Sequence, residues 1–289
     1  MPFAGSIVAI VTPFTGDKVD VAALKKHIDW LIAEGTQGIV PCGTTGESAT
    51  FSHEEQHQVI AEVVQHVRGR VPVIAGAGSN STREAVSLAQ AAERVGADGI
   101  LTITPYYNKP NQEGIFQHFK AVRENCRLPM VLYNVPGRTG TNMLPETAAR
   151  VAALGGVDSI KDAAANLDQT WEQLRLGVGV LSGDDGMTFP MMALGARGVI
   201  SVVANFAPAV VRRLCDACAA GDLVAARRHH GAVVELAKHA FADVNPIPAK
   251  SAVAALGFCQ EVYRLPLVPP QPEKKAAMLA CLRKHGILA

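Results

Sequence analysis

The sequence predicts an α/β protein, a (β/α)8 TIM barrel followed by a small C-terminal helical region. Three observations carry that expectation. Short β-rich apolar runs alternate with helical patterns at intervals of about 25 residues, the way successive βαβ units of a parallel sheet read. Eight such runs can be placed along the chain. The units end near Gly221-Asp222, so the barrel would have about 220 residues, within the size range of a closed (β/α)8 barrel. Residues 1–222 are therefore expected to form the barrel and 223–289 the helical region.

The strands are expected at 6–14, 38–42, 71–75, 99–104, 129–135, 159–163, 179–182 and 198–204. The helices between them carry start and stop signals. Ser52 with Glu55, and Ser81 with Glu84, have capping-box spacing. Gly35, Gly96, Gly155 and Gly195 stand where a C-cap needs positive φ. An open doubly wound sheet is the rival arrangement, but Gly76-Ala-Gly78 supports it poorly. That segment lacks the third glycine of a dinucleotide-binding turn and follows the third strand, not the first. Beyond Asp222 the strand signals stop, and 223–244, 248–256 and 273–285 read as helices separated by Asn245-Pro246 and the 266–272 segment. Their alanine-rich faces suit packing against the barrel or a second subunit, and nothing in them suggests chemistry.

Composition narrows the function classes. With 27 basic and 26 acidic residues interspersed, no basic stripe is available to neutralise a nucleic-acid backbone. The segment from Met1 to Ser6 lacks the basic start of a signal peptide, and no apolar run reaches about 18 residues, so a cytoplasmic protein without membrane contact is expected. The six cysteines are too sparse for a disulfide framework. Cys42, Cys126, Cys259 and Cys281 stand alone. Cys215-Asp-Ala-Cys218 has the spacing of a zinc or redox pair, but it lies in a helical pattern with Val211 and Leu214 and has no second pair, so it reads as two small apolar residues on a packed helix. His229-His230 reads as a solvated, basic helical face. No metal site is expected.

Active sites of such barrels lie at the C-terminal ends of the strands. The sixth run, Ser159-Ile-Lys161-Asp-Ala163, places a lysine on the same face as Ser159 and Ala163. If that face is the interior, desolvation lowers the lysine pKa and frees an amine that attacks carbonyl carbon. Snorkelling at a strand end is the plain alternative. Three other loops argue against it. After strand two, Gly43-Thr44-Thr45-Gly46-Glu47-Ser48 offers backbone N–H groups and two hydroxyls. After strand five, Tyr133-Asn-Val-Pro-Gly-Arg138 offers a phenol that can move protons and a guanidinium that can clamp a carboxylate. After strand four stand Tyr106 and Tyr107. The loop Gly183-Asp-Asp185-Gly186 is acidic where many barrels bind phosphate, which disfavours a phosphorylated substrate.

Gly43-Thr-Thr-Gly-Glu47, Tyr133-Asn-Val-Pro-x-Arg138 and Lys161 together resemble the dihydrodipicolinate synthase (4-hydroxy-tetrahydrodipicolinate synthase) branch of the pyruvate-dependent aldolase, or N-acetylneuraminate lyase, superfamily. The likeness runs essentially end to end, through Pro105-Tyr-Tyr-Asn-Lys-Pro110, Leu181-Ser-Gly-Asp-Asp185 and Asn245-Pro-Ile-Pro248. It implies that Lys161 forms an imine with pyruvate and that Tyr133, Thr44 and Tyr107 make a proton relay, with Tyr107 supplied across a dimer interface. It further implies that Thr45 and Val203 contact pyruvate, that Gly186 is a substrate-binding residue, and that Arg138 holds the carboxylate of L-aspartate 4-semialdehyde. A homotetramer built as a dimer of dimers, with no metal or organic cofactor, is implied as well. Feedback inhibition by L-lysine would use Ser48, Ala49, His53, Asn80, Glu84 and Tyr106. Gln56 departs from the family, where histidine is frequent in lysine-sensitive enzymes. Two other readings compete: an aldolase for sugar acids on the same scaffold, which Arg138 disfavours, and a barrel that binds or assembles without catalysis.

Overall fold

The structure, a computed structural model, describes residues 2–289. The eight expected strands form: β1 (Gly5–Ala9), β2 (Gly38–Val40), β3 (Ile74–Gly76), β4 (Gly99–Ile103), β5 (Met130–Asn134), β6 (Val157–Asp162), β7 (Val180–Ser182) and β8 (Gly198–Ser201). They pair in parallel in the order β2-β1-β8-β7-β6-β5-β4-β3. A parallel bridge between Ile39 and Val73 joins the two outer strands and closes the barrel. Helices α1 (Val21–Ala33), α2 (His53–Val67), α3 (Thr82–Arg94), α4 (Gln112–Asn125), α5 (Pro145–Ala152), α6 (Leu167–Arg175), α7 (Thr188–Leu194) and α8 (Pro208–Ala219) follow the strands in turn. Then come α9 (Leu223–Ala240), α10 (Ile247–Ala255) and α11 (Pro272–Lys284).

Strand periodicity sorts the apolar residues into two cores. Ile7, Val40, Ile74, Leu101, Val131, Leu181 and Ile200 fill the barrel interior, with Phe3 among them. Val8, Ile39, Ala75, Ile100, Leu132, Ile160, Val180 and Val199 point outward into the larger layer shared with the helices. The interior is thus packed with apolar side chains along most of its length.

Several strand boundaries shift from expectation, and at the C-terminal side the first and eighth runs fall furthest short. The first run leaves the sheet at Ala9, because the Val11 N–H is captured by Asn205 Oδ1 at 2.9 Å and Pro13 has no N–H to offer. Phe14–Thr15 instead pairs antiparallel with Lys18–Val19. The eighth run stops at Ser201, because the buried Asp185 carboxylate binds the Ser201 hydroxyl and accepts from Val202 N at 2.9 Å and Val203 N at 3.3 Å, which curls Val203–Asn205 into a 3-10 turn.

The capping boxes are half made. Ser52 Oγ accepts from Glu55 N at 3.2 Å and Ser81 Oγ from Glu84 N at 3.5 Å. Neither glutamate returns the bond: Glu55 pairs with Arg264 and Glu84 with Ser79. All four expected C-cap glycines have positive φ. Cys215 is buried on α8 and Cys218 half-buried, with both thiols pushed up by desolvation. His229 and His230 are not a fully solvated face. Both are half-buried, and the His230 ring lies 5.4 Å from that of Phe189. Among the described residues no helix is long and apolar enough to cross a membrane.

Candidate active site

Lys161 lies in register with Tyr133 on β5 and Leu181 on β7, both interior residues, while its neighbour Ile160 belongs to the outer core. Its side chain therefore points into the barrel. It is 5% exposed, and Nζ sits 4.1 Å from the centre of the Tyr133 ring. Among the described residues no carboxylate forms an ion pair with it. Burial lowers the ammonium pKa to about 7; the Asp185 charge opposes this fall, and the Arg138 charge adds to it. A substantial fraction of Lys161 is free amine at neutral pH.

The strands carrying Lys161 and Tyr133 are bolted together on their outer face. Asp162 accepts from Asn134 Nδ2 at 3.1 Å with one oxygen, and from Gln169 at 3.1 Å and Gln173 at 3.0 Å with the other. Both Asp162 oxygens have partners, so the network ties β5 to β6, although Gln173 Oε1 is buried without a partner. The Tyr133 phenol is buried, and desolvation pushes its pKa up against the pull of Arg138 and of a hydrogen bond with Thr44. It is therefore held as a proton donor next to the amine.

Thr44 opens the one-turn segment Thr44–Gly46 after β2. This loop passes so close over β3 that a Cβ at Gly76 would lie 2.0 Å from the Cys42 carbonyl oxygen, which requires glycine there. The turn ends at Glu47, a non-glycine residue held at φ 59°. Arg138, on the one-turn helix Pro136–Thr139, is exposed at the cavity mouth and donates to the Asn245 carbonyl at 3.2 Å.

A cavity of about 380 Å³ opens beside these parts, and Lys161 is not among the residues that line it. Thr44, Tyr133 and Arg138 line it together with Ser48, Ala49, His53, Gln56, Glu84 and Tyr106, so two candidate catalytic residues, Thr44 and Tyr133, share walls with most of the candidate lysine-site residues. Gln56 lines this wall with its amide donating to the Gly76 carbonyl at 2.8 Å. Glu84 accepts from Ser79 Oγ at 2.7 Å. Asn80 is not on the lining; its carbonyl accepts from Asn108 at 3.0 Å.

Tyr107 is not brought to the other relay residues within one chain. It is 89% exposed and held at φ 72°. The Gly186 N–H is bonded to Asp184 Oδ1 at 2.8 Å, so only its carbonyl remains to face a ligand. Val203 is fully buried with its N–H on Asp185. Thr45 is buried and its hydroxyl oxygen accepts from Asn245 Nδ2 at 3.0 Å.

Sequence reasoning missed Lys250, and it placed Asp185, Glu47 and Asn245 in motifs without giving them a structural task. Lys250 carried the same signal as Lys161, a single lysine in a short apolar run: Ala249, Ser251, Ala252 and Val253 are all buried around it. Outside the cavity, Glu235, Cys281 and His285 bring metal-capable atoms within 4.8 Å of one another. Glu235 is already paired there with Lys284 at 2.5 Å and in contact with His285 Nε2 at 3.1 Å, so that carboxylate already has protein partners.

A buried amine thus lies beside a phenol on a barrel, with a hydroxyl-bearing loop and an arginine at the cavity mouth. The family model described as the dihydrodipicolinate synthetase family matches residues 2–285. The chain belongs to the dihydrodipicolinate synthetase family. Among its relatives, the 4-hydroxy-tetrahydrodipicolinate synthase of Pelobacter propionicus is 50% identical over 289 residues, covering 99% of this chain and 100% of that one. The dihydrodipicolinate synthase of Acinetobacter baumannii, solved as a complex with pyruvate, superposes with a TM-score of 0.96 at 43% identity, over 99% of each chain. That of Cyanidioschyzon merolae, solved with lysine bound, superposes with a TM-score of 0.96 at 37% identity, again over 99% of each. Dihydrodipicolinate synthetase family membership thus extends over nearly the whole length of the chain.

Proposed function

We propose that the protein condenses pyruvate with L-aspartate 4-semialdehyde through a Lys161 imine, giving 4-hydroxy-tetrahydrodipicolinate for diaminopimelate and lysine synthesis. The observation that carries this reading is Lys161 itself, buried without a counter-ion and 4.1 Å from the Tyr133 ring. Its free amine attacks the pyruvate carbonyl carbon. Tyr133, with Thr44, delivers the proton that lets the carbinolamine oxygen leave as water. The protonated imine draws electrons from the adjacent methyl, which loses a proton and becomes an enamine. The enamine carbon adds to the aldehyde, and the substrate amine then closes on the imine carbon and displaces Lys161. Arg138 binds the semialdehyde carboxylate in a two-point contact. Thr45 and Val203 contact pyruvate, and Gly186 is a substrate-binding residue. Lysine supplies the electron sink, so the steps call for no metal or organic cofactor.

Two further parts belong to this reading. Tyr107 completes the relay from a neighbouring subunit of a homotetramer, supported by a tyrosine held in the left-handed region with its ring in solvent. L-lysine binds at Ser48, Ala49, His53, Asn80, Glu84 and Tyr106 and acts on a cavity wall shared with Thr44. The protein works in the cytoplasm.

The test compares condensation rates with L-aspartate 4-semialdehyde and with N-acetylmannosamine. The first substrate is expected to react far faster, with Arg138→Leu impairing that reaction alone. Preference for the sugar would instead select the sugar-acid aldolase reading. For the shared relay, mixing inactive Tyr107→Phe and Lys161→Ala subunits is expected to regenerate activity; no recovery would place the whole site in one chain.

A further inference from the structure

We propose that the turn and helix beginning at Asn245 belong to the catalytic apparatus: Asn245 and Lys250 are positioning residues that hold the Thr44-Thr45 loop and Arg138 against Lys161. The inference rests on the imine reading above and assigns a task to a region otherwise outside the chemistry.

Asn245 touches both sides of the site. Its side-chain amide donates to Thr45 Oγ1 at 3.0 Å, and its carbonyl accepts from Arg138 at 3.2 Å. With one lone pair of Thr45 Oγ1 occupied, the hydroxyl proton is directed away from Asn245 and is free to be donated to a carboxylate. The same residue sets the reach of the guanidinium at the cavity mouth.

Lys250 fixes the loop from its other end. Its ammonium forms an ion pair with Glu47, both side chains being fully buried, and donates to the Val262 carbonyl at 3.1 Å. It also lies 4.1 Å from the centre of the Phe14 ring. The second Glu47 oxygen accepts from Arg264 N at 3.3 Å. A buried ion pair is a poor source of stability compared with apolar side chains of the same volume, and its best-attested use is to specify one arrangement. The arrangement specified here is the left-handed residue Glu47, which ends the turn that presents Thr44 and Thr45.

The test uses the full-length protein with Asn245→Ala, Lys250→Met, Glu47→Gln and the Lys250→Met/Glu47→Gln double variant. Lys274→Ala, which breaks the more exposed Lys274–Asp243 pair of the same region, is the control. Asn245→Ala is expected to raise the pyruvate KM about tenfold, the equivalent of one good hydrogen bond, with little change in Tm. Lys250→Met is expected to raise pyruvate KM and lower kcat, and the double variant to recover part of both. Lys274→Ala leaves both constants alone. Unchanged KM and kcat in Asn245→Ala, or a Lys250→Met protein altered only in Tm, would overturn the proposal. If Lys250→Met does not fold, Asn245→Ala decides alone. Borohydride trapping of pyruvate on the unsubstituted protein separates the two layers: no adduct there defeats the imine reading, whereas an adduct there with unaffected variants defeats only the positioning role.

Discussion

Two lysines are buried in the described residues, and they have opposite fates. Lys250 on α10 meets a carboxylate, a carbonyl and an aromatic ring, so its ammonium has partners. Lys161 on β6 meets an aromatic ring and the repelling charge of Arg138, and its pKa falls to about 7. Desolvation is the largest influence on both, and both are lowered by it. What separates them is delivery of a counter-ion: Glu47 opposes the fall at Lys250 directly, whereas Asp185 acts on Lys161 while committed to Ser201, Val202 and Val203. Burial alone does not make a nucleophile. Burial with the carboxylate turned elsewhere does.

The largest effect expected from this contrast is on turnover. Lys161→Met is expected to lower kcat by roughly four orders of magnitude or more, as loss of a covalent nucleophile does, and Lys250 would remain unmodified by pyruvate in that variant. A Lys161→Met protein retaining a tenth of its activity, measured in the condensation assay, would erase the distinction. Next in size is stability. Lys250→Met or Glu47→Gln alone is expected to cost roughly 3–5 kcal/mol in denaturant unfolding, because the remaining buried charge loses its partner, while the double variant regains most of it. Equal stability of all four proteins would mean that the pair carries no charge.

Much of the frame behind this contrast is legible in the sequence, because Val/Ile-rich runs and helix-ending glycines are local signals. Lys161, Thr44, Tyr133 and Arg138 are legible because the barrel assigns chemistry to strand ends. The strand ends at Ala9 and Ser201 are not, since they are set by Asn205 and Asp185 from distant parts of the chain. Lys250 and Glu47 are hidden for the same reason: each looks like an isolated charge until the fold pairs them. Glu55 and Glu84 mislead in the other direction. A local capping pattern accounts for their serines, while tertiary partners claim their carboxylates.

Smaller effects sharpen the electrostatic side. The folded value of Lys161, about 7, lies below its ordinary 10.5. Between those values the unfolded chain holds a proton that the folded chain does not, so stability rises with pH across that window, and the burial penalty is full below about 7. Lys161→Met is therefore expected to be more stable than the parent at neutral pH, with the gap closing toward pH 10; urea unfolding at several pH values measures it, and a gap independent of pH would contradict it. Imine formation should rise through pH of about 7. Arg138→Leu removes a charge that depresses Lys161, so its midpoint is expected to move upward by less than about one unit; a downward shift in the trapping-rate profile would oppose that assignment.

The most direct measurement is to incubate the protein with pyruvate, reduce with borohydride and map the adduct by peptide mass spectrometry. A reduced pyruvyl adduct on Lys161, with Lys250 and the surface lysines unmodified, is the predicted result. An unmodified Lys161, or an adduct on Lys250 instead, would contradict the account.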